Sequence, residues 1–322
     1  MSEAEGRLRI LLWHVHGSWT TSFVHGGHEY LIPRLLGGGP WGRGKAGRDW
    51  PSNVREVTPG ELCDRDVDVV ILQRPEELEL VSRWLGRRPG HEVAALYVEH
   101  NTPRGPAVNT RHPLAEQTAI PLVHVTHFND LVWDNGRCPT TVVAHGVVDP
   151  GPRYTGERQR IAVMINEPVR RGRITGTDLL PTFAEIAPID VYGIAATELG
   201  TSDPVRGAGD LRQPSLYREV AAHRLYLHTA RWTSLGLSLI EAMHLGMPVV
   251  CLATTEAVRA VPIEVGVLST DIDVLRGGVQ RFIADPGLAV TAGKAAREFA
   301  LANYGLDAFL TAWDGLLGDI AR

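Results

Sequence analysis

Three polar side chains in residues 232–251, WTSLGLSLIEAMHLGMPVVC, are spaced so that they could do chemistry together. Ser234, Ser238 and Glu241 stand at positions i, i+4 and i+7, which places them on one face of a helix. Gly236 lets a ligand approach the first turn of that helix, where unpaired N–H groups and the helix dipole attract phosphate. The segment therefore predicts an anion site with a carboxylate beside it.

Two strands must flank this helix to hold it in place. The preceding run RLYLHTA is short and apolar, which predicts a buried strand, and Thr233 or Ser234 is expected to cap the helix that follows. Gly246 and Pro248 end the helix, and PVVCLA predicts the next buried strand. The order is strand, anion-binding turn, helix, strand.

This segment resembles the signature of retaining glycosyltransferases of family 4, which have the GT-B fold. The family pattern has a Glu, a Gly-Phe-Gly-like turn, a second Glu, then Ala-Met and Gly-x-Pro-Val-Val. The matching residues are Glu241, Ala242, Met243, Gly246, Pro248, Val249 and Val250. Thr233 occupies the place of the first Glu, and this is the main departure from the pattern. The alternative reading is an ordinary α/β helix with a solvated Glu.

The resemblance implies roles for several residues. Glu241 is implied to hold the ribose hydroxyls, and the backbone of Ser234, Leu235, Gly236 and Leu237 to bind a diphosphate. The catalytic positions that it implies are Glu241, Thr233 and His100. In related enzymes a His at the end of the fourth strand lies close to the donor sugar, and His100 in YVEHNTPRG matches it. Imidazole suits hydrogen bonding to a hydroxyl, although a turn cap is the alternative role.

Length and composition fit a two-domain chain. The protein has 322 residues, of which 44% are hydrophobic and 21% charged. The first half alternates apolar runs with loops or helices, which predicts a doubly wound parallel sheet. With the resemblance, we expect an α/β GT-B fold, with a Rossmann-like acceptor-side domain at 1–150 and a Rossmann-like nucleotide-sugar domain at 151–300. We also expect an interdomain cleft and a C-terminal helix at 301–322 that packs back on the first domain.

Charge and cysteine content exclude some functions. The net charge is −5, so bulk attraction to nucleic acid is not expected. Cys63, Cys138 and Cys251 are widely spaced and form no metal pattern, which is typical of a reducing cytosol. No apolar run is long enough for a transmembrane segment. The sequence therefore predicts a cytoplasmic protein.

Polar residues follow the predicted strands of the first half. They are His16, Gln73, Arg74, His100, Asn101, His127, Asn129, His145 and Gly146. Because ligands bind outside the carboxyl ends of open α/β sheets, we expect these side chains to rim one crevice. His16, His127 and Asn129 are the candidate acceptor-binding residues. The histidines of HVHGSWTTSFVHGGH lack a Cys and a clear carboxylate partner beyond Glu29, so no metal site is predicted.

Two glycine-bearing segments lie in this half. Gly26 and Gly27 let the backbone turn tightly, and the family has a Gly-rich donor-facing loop here, although a plain turn is the alternative. Residues 35–50, LGGGPWGRGKAGRDW after Leu35, are rich in Gly and Arg without a period. We expect a mobile loop outside the core, which either folds over an acceptor or is simply flexible.

The second half supplies candidate phosphate ligands. Residues 145–160 have the Pro and Gly content of a linker, and the strand RIAVMIN follows. Family members place an Arg and a Lys next, and this chain offers Arg170, Arg171 and Arg173, whose guanidinium groups suit diphosphate binding. A surface basic run is the alternative. Gly193 ends the strand IDVYGI and matches the region that flanks the nucleotide base.

These observations predict a glycosyltransferase that moves a sugar from a nucleotide diphosphate sugar to an unknown small-molecule or glycan acceptor. Retention is implied by the resemblance, and neither an obligatory metal nor another cofactor is expected. Two alternatives remain from the sequence. One is a non-catalytic GT-B homologue that binds a nucleotide sugar, which Thr233 favours; the other is a GT-B nucleotide-sugar epimerase. A nicotinamide dehydrogenase is disfavoured, because no Gly-x-Gly-x-x-Gly follows the first strand.

Overall fold

The computed structural model describes residues 6–322. Within them the chain forms two compact units. Unit 1 runs to Val148 and also includes Leu306–Arg322, whereas unit 2 is Asp149–Gly305. In the described residues, no helix is both long and apolar enough to cross a lipid bilayer.

The strands of unit 1 are β1 (Arg9–Leu12), β2 (Glu29–Pro33), β3 (Val54–Val57), β4 (Val69–Leu72), β5 (Ala94–Glu99), β6 (Leu122–His124) and β7 (Thr140–Val142). They form one parallel sheet in the order β3-β2-β1-β4-β5-β6-β7. Ile10 of β1 lies opposite Tyr30 on one side and Val69 on the other. The chain moves outward from β1 to β3 and returns at β4, so the topological switch point of this sheet lies between β1 and β4.

The strands of unit 2 are β8 (Arg158–Met164), β9 (Ile189–Tyr192), β10 (Val205–Gly209), β11 (His223–His228), β12 (Val249–Leu252) and β13 (Gly266–Ser269). Their parallel sheet has the order β10-β9-β8-β11-β12-β13. Every residue of β11 and β12 is buried, as expected for strands with both faces covered. The switch point of this sheet lies between β8 and β11.

The α-helices are α1 (Gly17–Phe23), α2 (Pro59–Leu62), α3 (Glu77–Leu85), α4 (His127–Val132), α5 (Pro168–Arg171), α6 (Leu180–Ala184), α7 (Gln213–Ala221), α8 (Leu237–His244), α9 (Ala257–Ala260), α10 (Ile272–Ala284), α11 (Pro286–Tyr304) and α12 (Leu306–Ile320). Short 3₁₀ turns cover Ala107–Asn109, Thr177–Leu179 and Ala196–Leu199. Side chains cap several of these helices; Asp285, for example, accepts a hydrogen bond from the backbone N–H of Leu288 at 3.0 Å.

Helix α12 is part of the core of unit 1. Its Phe309, Trp313 and Leu317 are spaced at i, i+4 and i+8 and are all buried. The Trp313 ring lies 5.7 Å from Trp19 and 5.0 Å from Phe23. The sequence predicts one amphipathic tail here, whereas the structure has two helices that separate at Gly305, with α11 in unit 2 and α12 in unit 1.

A buried carboxylate anchors the sheet of unit 2. Asp190 of β9 has no exposed surface, and its oxygens accept hydrogen bonds from three cationic or polar side chains. Arg160 Nε lies 3.1 Å from both oxygens, Arg206 Nε lies 2.6 Å from Oδ1, and His223 Nε2 lies 2.8 Å from Oδ2. Arg160 also reaches the more exposed Asp203 at 3.1 Å. This network ties β8, β9, β10 and β11 together.

Residues 35–50 differ from the sequence expectation of a mobile loop outside the core. Trp50 is buried, and its Nε1 donates to Thr21 Oγ1 at 2.9 Å. The carbonyl of Gly44 lies 2.8 Å from His14 Nδ1, directly after β1. The expectation was wrong for Gly44 and Trp50, which tertiary hydrogen bonds hold in place, whereas Leu36 is fully exposed.

Candidate functional site

The predicted anion-binding turn lies between β11 and α8 in unit 2. Ser234, Leu235 and Glu241 are buried, with 5, 7 and 6% of their surface exposed, and Thr233 is half-buried. The prediction that Thr233 or Ser234 caps the helix is wrong, because α8 starts at Leu237 with Gly236 at its N-cap. The buried Glu241 carboxyl therefore lies one turn into α8.

The His228 ring leaves no room for a side chain at Gly236. A Cβ on Gly236 would lie 2.6 Å from Cε1 of His228, the last residue of β11. Burial lowers the pKa of His228 to about 4, so its ring is neutral near pH 7. Ser238 points toward the sheet rather than along the predicted polar stripe, since its Oγ accepts from Tyr226 Oη at 2.9 Å and donates to the Met164 carbonyl at 3.4 Å.

Hydrogen bonds from both sides fix the turn. Thr229 Oγ1 donates to the Thr175 carbonyl at 2.8 Å, and Thr254 Oγ1 donates to the Ala230 carbonyl at 2.6 Å. Gly176 has φ +73, and a Cβ there would lie 1.9 Å from the Thr229 carbonyl oxygen. Only glycine suits position 176, because its backbone has a positive φ and its Cα lies too close to the turn for a side chain.

The three predicted phosphate-binding arginines have different partners. Arg170 is exposed and pairs with Glu167, whose Oε1 lies 2.7 Å from Arg170 Nε. Arg173 is exposed and lies 3.3 Å from Asp178, which also pairs with Arg231. In residues 6–322 the half-buried Arg171 side chain has neither a hydrogen bond nor an ion pair. Burial, with Arg170 nearby, lowers the pKa of Arg171.

Gly193 lies at the carboxyl edge of the unit 2 sheet, as the turn after β11 does. It directly follows β9 with φ +137, and a Cβ would lie 2.4 Å from the Ile165 carbonyl oxygen. Asn166 Oδ1 accepts from the backbone N–H of Ile194 at 2.9 Å, which holds this end of β9 beside the end of β8. The structure thus brings together the predicted residues after β8, β9 and β11 around the switch point of unit 2.

Three histidines gather at the carboxyl edge of unit 1. The rings of His16 and His100 lie 4.1 Å apart, and Trp19 meets His100 edge-on at 5.0 Å. Burial lowers the pKa of His16 to about 4, that of His145 to about 3 and that of His100 well below its usual value. The repulsion of His100 by His16 and His145 adds to this effect. Near pH 7 the three rings are neutral and can exchange hydrogen bonds with hydroxyl groups.

The predicted residues His127 and Asn129 lie in the first turn of α4, and Gly26 and Gly27 precede β2. His127 is exposed at the start of α4, whereas Asn129 is buried and donates to the Glu99 carbonyl at 3.4 Å, which anchors α4 to β5. Gly26 and Gly27 follow α1 and precede β2, so they lie at the amino edge of the sheet. Asn53, just before β3, donates to the Gly26 carbonyl at 2.9 Å. The two glycines thus lie at the opposite edge of the sheet from the strand-end histidines, and their donor-binding role stays a prediction.

No three His, Cys, Asp or Glu side chains of residues 6–322 form a group that could hold a metal ion. The sequence analysis did not single out His228 or the pairing of Asp178 with Arg231. The positive φ of Gly176 is the one feature that the sequence could have signalled, through its place in the run RRGRITGTD.

Two parallel sheets with flanking helices, each in its own unit, define a two-domain α/β protein of the GT-B fold, which confirms the predicted fold class. Residues 195–299, which contain the turn and Glu241, match the family model "Glycosyl transferases group 1". The match lies within unit 2 and covers about a third of the chain. No curated protein matches the sequence.

Solved structures share the fold at low sequence identity. Sucrose-phosphate synthase from Thermosynechococcus elongatus has a TM-score of 0.71 and 15% identity over 97% of this chain and 99% of that chain. HepE from Anabaena, solved in complex with UDP and glucose, has a TM-score of 0.69 and 16% identity over 97% of this chain and 100% of that chain. TarM from S. aureus has a TM-score of 0.60 and 15% identity over 77% of this chain, which spans only 55% of TarM.

Proposed function

We propose that this protein is a glycosyltransferase that transfers a sugar from a nucleotide diphosphate sugar to a hydroxyl of an acceptor. The observation that carries the proposal is the buried Glu241 carboxyl in α8, within the segment that matches the glycosyltransferase family model. A buried carboxylate beside a helix N-terminus suits a ligand that joins ribose hydroxyls to phosphates. HepE was solved with UDP, so UDP is the first nucleotide to test.

Each part of the donor has a candidate partner. Glu241 would accept hydrogen bonds from the ribose hydroxyls, and the N–H groups of residues 234–237 would face the diphosphate. Arg171 would supply the positive charge, because Arg170 and Arg173 are already paired with carboxylates. Gly193 would flank the base, and His100 would hydrogen-bond the sugar as a neutral ring.

We further propose that transfer proceeds with retention and without an obligatory metal. Negative charge grows on the diphosphate as the glycosidic bond breaks, and Arg171 with the N-terminus of α8 would stabilise it. Product analysis by NMR would report the anomeric configuration. Full activity in EDTA would support metal independence, whereas loss of activity that Mg²⁺ or Mn²⁺ restores would contradict it.

Replacing Glu241 with alanine should weaken UDP binding about 100-fold, because hydrogen bonds to a charged group contribute about 1.5–3 kcal/mol each. Isothermal titration calorimetry with UDP measures the effect directly. The matched control is Glu264→Ala, which removes an exposed acid of the same unit and should leave the affinity unchanged. Equal UDP affinity of the Glu241→Ala variant and the wild type would overturn the ribose assignment.

Replacing Arg171 with glutamine should raise the Kd for UDP about 10-fold or more, since a charge-assisted contact to phosphate is lost. The neighbouring Arg170→Gln is the control, because Arg170 is exposed and paired with Glu167. We expect Arg170→Gln to change the Kd less than twofold. A larger loss for Arg170→Gln than for Arg171→Gln in the same titration would reverse the assignment.

A non-catalytic homologue that binds a nucleotide sugar is the second candidate, and Thr233 favours it. Thr233 stands where the resembling enzymes have an acid, and it is half-buried beside the turn. UDP-sugar binding without hydrolysis or transfer to any acceptor would support this candidate. Release of UDP from a UDP-sugar in the presence of an acceptor, measured by a coupled assay, would exclude it.

A further inference from the structure

Four residues other than glycine have a left-handed backbone within residues 6–322. They are Ala46, Glu167, Ala195 and Thr255, with φ of +51, +54, +58 and +50. This region is unfavourable for any residue with a Cβ, and most of all for a β-branched residue such as Thr255. Three of the four are the third residue after a strand of unit 2: Glu167 after β8, Ala195 after β9 and Thr255 after β12. Strain of this kind clusters at ligand sites, where it fixes one geometry.

Two of these strained residues lie next to proposed contacts of the donor. The Glu167 carbonyl accepts a hydrogen bond from the backbone N–H of Arg171 at 2.9 Å, in the first turn of α5. Ala195 comes two residues after Gly193, at the end of β9. The backbone N–H of Glu167 donates to the Ile194 carbonyl at 2.7 Å, so the turns after β8 and β9 hold each other in place.

The third strained residue, Thr255, is tied to the anion-binding turn on both sides. Its preceding neighbour Thr254 donates Oγ1 to the Ala230 carbonyl at 2.6 Å. Its following neighbour Glu256 donates its backbone N–H to the Ser234 carbonyl at 3.3 Å. The two hydrogen bonds hold the start and the end of the loop that precedes α8, and the backbone of Thr255 sets the direction of the chain between them.

This arrangement matters for binding because the shape of a loop before binding affects its affinity. A turn that already has its binding shape loses no affinity to ordering when the ligand arrives. The Thr255 side chain is half-buried, and its Cβ restricts the backbone to few conformations. Glycine at position 255 would have many more, so the turn would keep its shape for a smaller fraction of the time.

We propose that Thr255 is a positioning residue of the donor site, whose left-handed backbone holds residues 230–234 in the shape that presents the N–H groups of the turn to a diphosphate. Thr255 acts through Thr254 and Glu256 and does not itself have to touch the donor. The identity of the ligand rests on the proposed function. The ordering of the turn is a property of the free protein and does not.

The test combines hydrogen–deuterium exchange of the free full-length chain with calorimetric titration of UDP. In Thr255→Gly we expect faster exchange of the amides of residues 233–237. We also expect an about tenfold higher Kd for UDP, since a turn that has its binding shape a tenth of the time loses that factor in affinity. The urea midpoint of unit 2 should not fall, because relief of the strain offsets the added freedom of the unfolded chain.

Two further variants separate backbone conformation from other effects. Thr255→Asn replaces the side chain by one that tolerates the left-handed region, so its Kd for UDP should stay within about twofold of the wild type. Ala46→Gly is the matched control, because it relieves the same kind of strain at φ +51 in unit 1. It should change neither the exchange of residues 233–237 nor the affinity for UDP.

Equal exchange of the turn in Thr255→Gly and the wild type would overturn the inference. An unchanged Kd in Thr255→Gly, or a Thr255→Asn variant that binds UDP as weakly as Thr255→Gly, would also overturn it, the latter by assigning the effect to the lost threonine side chain. A wild type that binds no UDP refutes the proposed donor site instead. Faster exchange in Thr255→Gly, but not in Ala46→Gly, would then still support the positioning role.

Discussion

Replacing Asp190 with asparagine is expected to lower the free energy of unfolding by about 3–5 kcal/mol, because it removes the buried carboxylate that pairs with the half-buried Arg160 and Arg206. Asp190 has no exposed surface and joins Arg160, Arg206 and His223. Hydrogen–deuterium exchange in urea, read on the amides of β9 and β11, measures this loss within unit 2. The matched control is Asp203→Asn, which removes the exposed second partner of Arg160 and should cost less than about 1 kcal/mol.

The effect of Asp190→Asn should depend on pH. Burial raises the pKa of Asp190, but hydrogen bonds from His223, Arg206 and Arg160 outweigh it and hold the pKa well below the ordinary 3.8. A carboxylate with a depressed folded-state pKa stabilises the fold above its unfolded pKa, and this stabilisation is lost as pH falls. The difference between wild type and variant should be full near pH 7 and shrink below pH 3.8. A difference that grows on acidification would contradict the network.

Replacing Trp313 with alanine should destabilise unit 1 by about 3–5 kcal/mol, the usual cost of removing a large buried aromatic side chain. Trp313 is 1% exposed and contacts Trp19 and Phe23 through their rings. Tryptophan fluorescence in a urea titration reports mainly on unit 1, because Trp232 is the one tryptophan of residues 149–305.

The control for this change is Asp319→Ala on the exposed side of α12. We expect Asp319→Ala to shift the unfolding midpoint little. If Trp313→Ala unfolds at the same urea concentration as the wild type, α12 contributes little to the core of unit 1. UDP binding of the Trp313→Ala variant at low urea would show that unit 2 remains folded.

Several strands were predictable because their residues are continuously apolar. The runs that became β4, β11 and β12 are buried along their whole length, so local composition identifies them. The sequence analysis missed β2 and β10. β2 ends in Pro33 and lies between the Gly26–Gly27 pair and the Gly-rich residues 35–50, and β10 contains Gly207 and Gly209, which weaken a strand signal. These segments become strands because they pair with β1 and β9. Residues close in sequence do not encode that pairing.

The candidate site also has parts that were predictable from the sequence and parts that were not. The order of strand, turn and helix around Glu241 follows from residues that are close in sequence. The start of α8 at Leu237 does not, because residues 231 and 232 donate their backbone N–H groups to the Ile174 carbonyl at 2.9 and 3.2 Å. These contacts hold Thr233 and Ser234 outside the helix. The placement of Gly26 and Gly27 at the amino edge likewise depends on the unpredicted α1 and β2.

The α/β class, the order of strand, turn and acid-bearing helix, and the spacing of Phe309 and Trp313 were predictable from the sequence, because each is a local pattern. The uncompensated charge of Arg171 and the anchoring of a sheet by Asp190 depend on contacts that exist only in the folded chain. The physical reason is that ion pairs such as Arg231–Asp178 and Arg160–Asp190 join residues far apart in the chain. Whether an arginine side chain remains available for a ligand therefore depends on which carboxylates the fold places beside it.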